Sequence, residues 1–150
     1  MLNGISPLIS PDLLHVLYIM GHGDSIVLAD AHFPGHTFSQ KVVRADGLKI
    51  PELLEAILPL FPLDNYVKAP VSMMAAVEGD TLDPAVEADY RRSMEKAGAS
   101  RSLEIERVER FTFYELAASS FAVVMTGETA KYGNILIQKG LVGVAGKEDL

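Results

Sequence analysis

Residues 20–36 read MGHGDSIVLADAHFPGH, and the run at the centre of this segment, Ser25 to Ala29, decides the fold. It is short and nearly continuous in apolar side chains, as in a strand covered on both faces. Upstream, Ser10-Pro11-Asp12 opens a helix with a capping hydroxyl, a proline in the first turn and an acid facing the positive helix end. Leu13, Leu14, Leu17 and Met20 give that helix its apolar face, and Gly21 ends it. Downstream, Val42–Ala45 reads as a strand before an Asp46-Gly47 turn, and Pro51 to Leu58 as a helix stopped by Pro59. Val71–Val77 reads as a buried strand, and Asp83-Pro84 opens an amphipathic helix to about Ala97. Leu103–Glu109, Phe121–Met125 and Ile135–Gln138 read as strands, with a helix over Phe111–Ser120. Strands and helices alternate, which predicts the α/β class: a three-layer domain on a mostly parallel sheet, with ligands gathered at strand ends.

The 150 residues form one expected domain, 1–150, without internal repeat or linker. Apolar residues make up 49% of the chain and its mean hydropathy is +0.20, so part of the apolar surplus is expected to be buried between subunits of an oligomer. A net charge of −7 argues against nucleic acid, whose phosphates need a basic surface. The absence of cysteine removes disulfides, thiolate catalysis and cysteine-based zinc sites. No apolar segment is long enough for a membrane span, and MLNGISPLIS lacks the pattern of a signal peptide, so the cytoplasm is the expected compartment.

The same segment, 20–36, carries three of the four histidines. His22 stands between two glycines, where little packing shields its ring. An imidazole is the side-chain type suited to donating or accepting a proton without elaborate tuning, although this one could also merely cap the end of the first helix. Asp30 could hold a ligand hydroxyl or orient a histidine, or simply cap the turn before Pro34. A strand of four or five residues between them spans roughly 13–17 Å. Both can then touch one small ligand only if the loop folds back, if the ligand lies alongside the strand, or if a neighbouring subunit completes the groove. His22, Asp30, His32 and His36 together could hold zinc or manganese in a metal-dependent hydrolase, but their spacing matches no compact ligand motif. His15 reads as a structural or surface residue.

Arg110 ends a charged stretch that could simply be solvated. Lys131-Tyr132-Gly133-Asn134 offers a hydroxyl and an amide around a flexible glycine, a set suited to sugar hydroxyls, or else a plain turn. Glu78-Gly79-Asp80 reads as a strand-end turn rather than a glycosidase carboxylate pair. There is no phosphate-binding glycine loop and no serine nucleophile elbow.

The stretches ISPLISPDLL, MGHGD, ADAHFP, VRADGL, AAVEGDTLDP and AKYGNILI resemble the RbsD/FucU family of sugar mutarotases, most closely its L-fucose branch, from about residue 5 to 140. The resemblance implies a three-layer α/β/α fold with a mixed, mostly parallel sheet and interconversion of the α and β anomers of a monosaccharide. It implies no cofactor and no metal. It also implies a homo-oligomeric ring such as a decamer, with the sugar pocket between adjacent subunits. The family's proton carrier falls on His22. Its substrate-binding groups fall on Asp30, Arg110, Tyr132, Gly133 and Asn134, with Arg110 the fucose-branch position. Residues 141–150 lie beyond the family core as an expected tail. Pyranose–furanose interconversion of the ribose type and a sugar-binding protein without catalysis are the alternatives this leaves open.

Overall fold

A computed structural model describes residues 1–143, so most of the expected C-terminal tail lies outside the described residues. The order is α1 (Pro11–Ile19), β1 (Ser25–Ala29), α2 (Gly35–Phe38), β2 (Val42–Ala45), α3 (Ile50–Ile57), β3 (Val71–Met74), α4 (Pro84–Lys96), β4 (Ile105–Val108), α5 (Arg110–Ser119), β5 (Ala122–Thr126) and β6 (Ile135–Gln138). The strands form one sheet in the order β2-β5-β1-β6-β3-β4. Five strands run the same way, and β6 runs against both of its neighbours, β1 and β3.

Local chemistry places the helices. Ser10 Oγ accepts from the Leu13 N–H at 3.1 Å and Asp83 Oδ1 from the Ala85 N–H at 2.9 Å, so both proline-led helix starts are capped as their sequences predict. The strands then divide their side chains between two cores by the two-residue period of a pleated chain. Ile26 and Leu28 of β1, Ala122 and Val124 of β5, and Ile135 and Ile137 of β6 face α1, α3 and α4. Val27 and Ala29, Val123 and Met125, and Leu136 face Phe33 and α5. Helices therefore cover both faces of the sheet, giving the three α/β/α layers. Ile26 to Ala29 are 0% exposed, so the apolar run at 25–29 is the buried central strand its composition predicts.

Two segments differ from the sequence expectation. Gly35–Phe38 forms a single helical turn, too short to show any periodicity, with Gly35 buried against Met125. The strand expected to reach Val77 ends at Met74. The chain leaves the sheet there, and the Val77 N–H donates to the Tyr132 hydroxyl at 3.3 Å instead of to a ladder partner.

Close backbone approach explains one glycine. A Cβ on Gly127 would collide with the Asp46 carbonyl, which is backbone and cannot swing away. Gly47, in the neighbouring turn, faces open space with no positive φ. Gly127→Ala is therefore expected to destabilise the fold by about 1–3 kcal/mol through overpacking. Gly47→Ala should stay within about 1 kcal/mol of the parent, on the stabilising side, by restricting the unfolded chain. Urea denaturation of the two variants checks the contrast.

Candidate active site

The residues singled out in the sequence lie at two opposite ends of β1. His22 precedes the strand, on a turn held from three directions. The Gly21 N–H donates to Asp24 Oδ2 at 2.7 Å, the Gly23 N–H to the Lys139 carbonyl at 2.8 Å, and the Lys139 N–H to the Asp24 carbonyl at 2.8 Å. Gly23 has φ +86°, a left-handed conformation that favours glycine. Lys139 adds an anchor from behind: its Nζ donates to the Leu17 and Met20 carbonyls at 2.9 and 2.6 Å, satisfying the buried carbonyl end of α1. The ring of His22 is 38% exposed, and its Nε2 lies 3.1 Å from Oδ1 of Asp64, a carboxylate only 3% exposed. The Tyr66 ring meets the imidazole edge-on at 5.4 Å. Burial alone would push the Asp64 carboxyl up. Hydrogen bonds from the Tyr66 N–H, His22 and Gln138 more than offset that and hold it below the usual carboxylate range.

The far end of β1 gathers Asp30 with the 132–134 segment. The Asp30 N–H donates to Asn134 Oδ1 at 2.8 Å, and the Asn134 side chain also hydrogen-bonds the Asp30 carboxyl, so the two residues are tied together. One Asp30 oxygen accepts from the His32 N–H at 2.9 Å. Burial raises the Asp30 carboxyl above its ordinary value, and that N–H opposes the rise only in part. Gly133 is fixed by crowding: a Cβ there would sit 2.7 Å from the Ala130 carbonyl and 2.9 Å from the Tyr90 hydroxyl, and that hydroxyl donates to the Gly133 carbonyl at 2.7 Å. Tyr132 alone among the described non-glycine residues has positive φ, at 56°. Its hydroxyl donates to Asp80 Oδ2 at 2.7 Å and accepts from the Val77 N–H. The phenolic proton is thus committed, and the group offers a ligand a lone pair rather than a hydrogen.

Asp80 also holds Lys131 Nζ at 2.6 Å, and these two partners lower its carboxyl to about 2. The turn reading of Glu78-Gly79-Asp80 holds: the Asp80 N–H closes on the Val77 carbonyl at 3.0 Å, with Gly79 at φ +83°. Arg110 opens α5. Its Nε–H donates to the Tyr114 hydroxyl at 2.9 Å, and its guanidinium lies 5.4 Å from the Tyr114 ring and 5.8 Å from that of Phe111. Phe38 stacks on the same tyrosine at 4.7 Å, while Phe111 is 65% exposed, so an aromatic shelf carries the cation at the surface.

The remaining histidines do not join His22. The His32 backbone belongs to the Asp30 loop, His36 lies exposed beside Arg44, and His15 is on the outer side of α1. Because β1 separates His22 from Asp30, His32 and His36, the four form no single ligand cluster. Among the described residues no group of three or more acidic or histidine side chains is arranged to hold a metal ion. Sequence reasoning missed Asp64 and the pairing of Asp80 with Tyr132 and Lys131. Each meets its partner across the fold, and the only signal of Asp64 was an acid at the edge of the apolar 58–63 stretch.

Comparison with known proteins follows the same lines. The family model described as the RbsD / FucU transport protein family matches residues 3–142. An L-fucose mutarotase of Actinobacillus pleuropneumoniae is 57% identical over 144 residues, covering 96% of this chain and 99% of its own. The crystal structure of the fucose mutarotase of Streptococcus pneumoniae in complex with L-fucose is 45% identical, with a TM-score of 0.88 over 94% of this chain and 99% of that one. FucU of Bifidobacterium longum is 42% identical with the same TM-score of 0.88, over 93% and 99% of the two chains.

The Asp80 clamp has a measurable signature. Its folded-state value lies below the unfolded one, so its contribution is complete above about pH 4 and is lost as the pH falls through the folded value. Carboxyl-detected NMR should show Asp80 titrating near 2, and Lys131→Met should move the midpoint up towards 3.8. A wild-type midpoint at 3.8 would mean that the clamp is not formed in solution.

Proposed function

The chain belongs to the RbsD / FucU transport protein family, and from that premise we propose that it is a mutarotase that interconverts the α and β anomers of L-fucose. The observation that carries this reading is the 57% identity to an L-fucose mutarotase over 96% of the chain. The site chemistry supports it. Mutarotation breaks the bond between the anomeric carbon and the ring oxygen, exposes an aldehyde, and recloses it on the other face. One proton leaves the anomeric hydroxyl and one reaches the ring oxygen. A positioned imidazole does such work at neutral pH, and an acceleration on the order of 10²–10⁴-fold is what one general acid–base supplies.

His22 is the proposed proton carrier. Asp30, Tyr132, Gly133 and Asn134 hold the sugar hydroxyls: a carboxylate and a phenolic lone pair accept, Asn134 fixes the Asp30 carboxylate, and the glycine lets the chain approach closely. Arg110 on its aromatic shelf supplies the fucose-type contact. A ribose-type enzyme would differ at this position.

One chain does not bring these groups around one sugar. β1 is a regular five-residue strand, so its ends stand roughly 13 Å apart, and the His22 ring turns to Asp64 while Asp30 is tied to Asn134 at the other end. The proposed pocket therefore joins His22 of one copy to Asp30, Arg110 and 132–134 of another, in a closed homo-oligomeric ring such as a decamer. The exposed Tyr18, Ile19 and Phe111, at 86%, 46% and 65%, are apolar surface available to such contacts.

Saturation-transfer NMR on L-fucose tests the activity. Wild type should accelerate anomer exchange, and His22→Ala should lower the rate on the order of 10²-fold or more. Binding without acceleration would replace the enzyme by a sugar-binding protein. Equal acceleration by both proteins would remove His22 from the mechanism.

A further inference from the structure

We propose that Asp64 is the positioning residue of this site, fixing His22 with its hydrogen on Nε2 and presenting Nδ1 to the sugar; this rests on the mutarotase reading above. The geometry leaves little choice. An ionised carboxylate only accepts, so the 3.1 Å contact between Asp64 Oδ1 and His22 Nε2 requires the hydrogen on Nε2. The neutral ring then carries its lone pair on Nδ1. Among the described residues Nδ1 has no hydrogen-bond partner, and the ring is 38% exposed.

Asp64 is itself immobilised. Its Oδ1 also accepts from the Tyr66 N–H at 3.0 Å, its Oδ2 from the Gln138 side-chain amide at 3.0 Å, and its backbone N–H donates to the Gln138 carbonyl at 2.9 Å. The bridge between Leu63 and Lys139 binds the same segment to the end of β6. Lys139 in turn pins the His22 turn, so carboxylate and imidazole hang from one piece of backbone. A carboxylate 3% exposed, fully hydrogen-bonded and aimed at an exposed imidazole is costly to build for stability alone. Here it orients the ring and stabilises the imidazolium that forms when Nδ1 takes the anomeric proton. That proton is returned to the sugar as the ring oxygen is released, so the aldehyde and the reclosed ring keep the atoms of the substrate.

Asp64 also lines a cleft of about 490 Å³ together with Leu63, Val67 and Leu103, which gives a small anion a route to the place its carboxylate occupies. The test uses the full chain labelled with ¹⁵N-histidine. In wild type, long-range ¹H–¹⁵N spectra should show His22 as the Nε2–H tautomer. Asp64→Ala should shift it towards a mixture and lower the maximal exchange rate of L-fucose on the order of 10²-fold, as loss of orientation does. The half-saturating sugar concentration should change by less than about threefold, and added formate should restore part of the rate. Asp64→Asn, which keeps an acceptor oxygen, should retain the tautomer and lose less rate. An Asp64→Ala protein with wild-type tautomer and rate would overturn the proposal. So would a loss confined to sugar affinity. Wild-type protein that fails to accelerate exchange, yet shows the Nε2–H tautomer and its loss in Asp64→Ala, would sink the mutarotase reading and leave the Asp64–His22 pairing standing.

Discussion

The antiparallel pairing of β1 with β6 is the constraint on which the rest of this molecule depends. In an otherwise parallel sheet it brings the start of β6 against the end of β1 and the end of β6 against its start. Ser25 faces Gln138, and Leu28 faces Ile135. As a result Asn134 reaches the Asp30 backbone at one end, while Gln138 and Lys139 reach Asp64 and the His22 turn at the other. Both half-sites hang from one ladder. Because β1 is buried on both faces, its length is not adjustable. A one-residue slip would exchange the core of α1, α3 and α4 for that of α5 at every position.

At each end of β1 a carboxylate holds one of the proposed site side chains. Asp64 holds an imidazole, and Asp80 holds the Tyr132 hydroxyl through a contact shared with Lys131. Preorganisation of this kind suits a reaction that needs only modest acceleration. The groups proposed to touch the sugar keep few degrees of freedom, and the ordering is done during folding rather than at binding. The strained backbone of Tyr132 belongs to the same design: its positive φ is held by the Asp80 clamp on one side and by Tyr90, through the Gly133 carbonyl, on the other.

Much of this was legible in the sequence wherever the signal is local. The 25–29 strand, the 42–45 strand, the 135–138 strand and the Ser10 and Asp83 caps lie where composition and capping chemistry put them. The direction of β6 was not legible from pattern, because a run of apolar residues carries no polarity. The helical turn at Gly35–Phe38 is too short for periodicity, and the β3 strand stops at Met74 because its partner β4 ends at Val108, a pairing limit that the apolar run 71–77 does not encode. His22, Asp30 and the Tyr132–Asn134 segment could be picked out by residue type. Their partners Asp64 and Asp80 could not, since those pairings span 42 and 52 residues. The Tyr132 hydroxyl, read with the Asn134 amide as a set suited to sugar hydroxyls, has its proton committed within the chain.

The claim that β1 keeps the two half-sites apart, so that a complete pocket takes two copies, is tested most directly by mixing. His22→Ala and Asp30→Ala subunits, each inactive alone, are co-expressed with different tags, and the doubly tagged assemblies are isolated and measured for L-fucose anomer exchange. A shared pocket predicts recovery to about a quarter of the wild-type rate, the share of interfaces that receive an intact His22 from one copy and an intact Asp30 from its neighbour by random assortment. Mixed assemblies as inactive as their parents would contradict it, because only a pocket built within a single chain leaves nothing to complement.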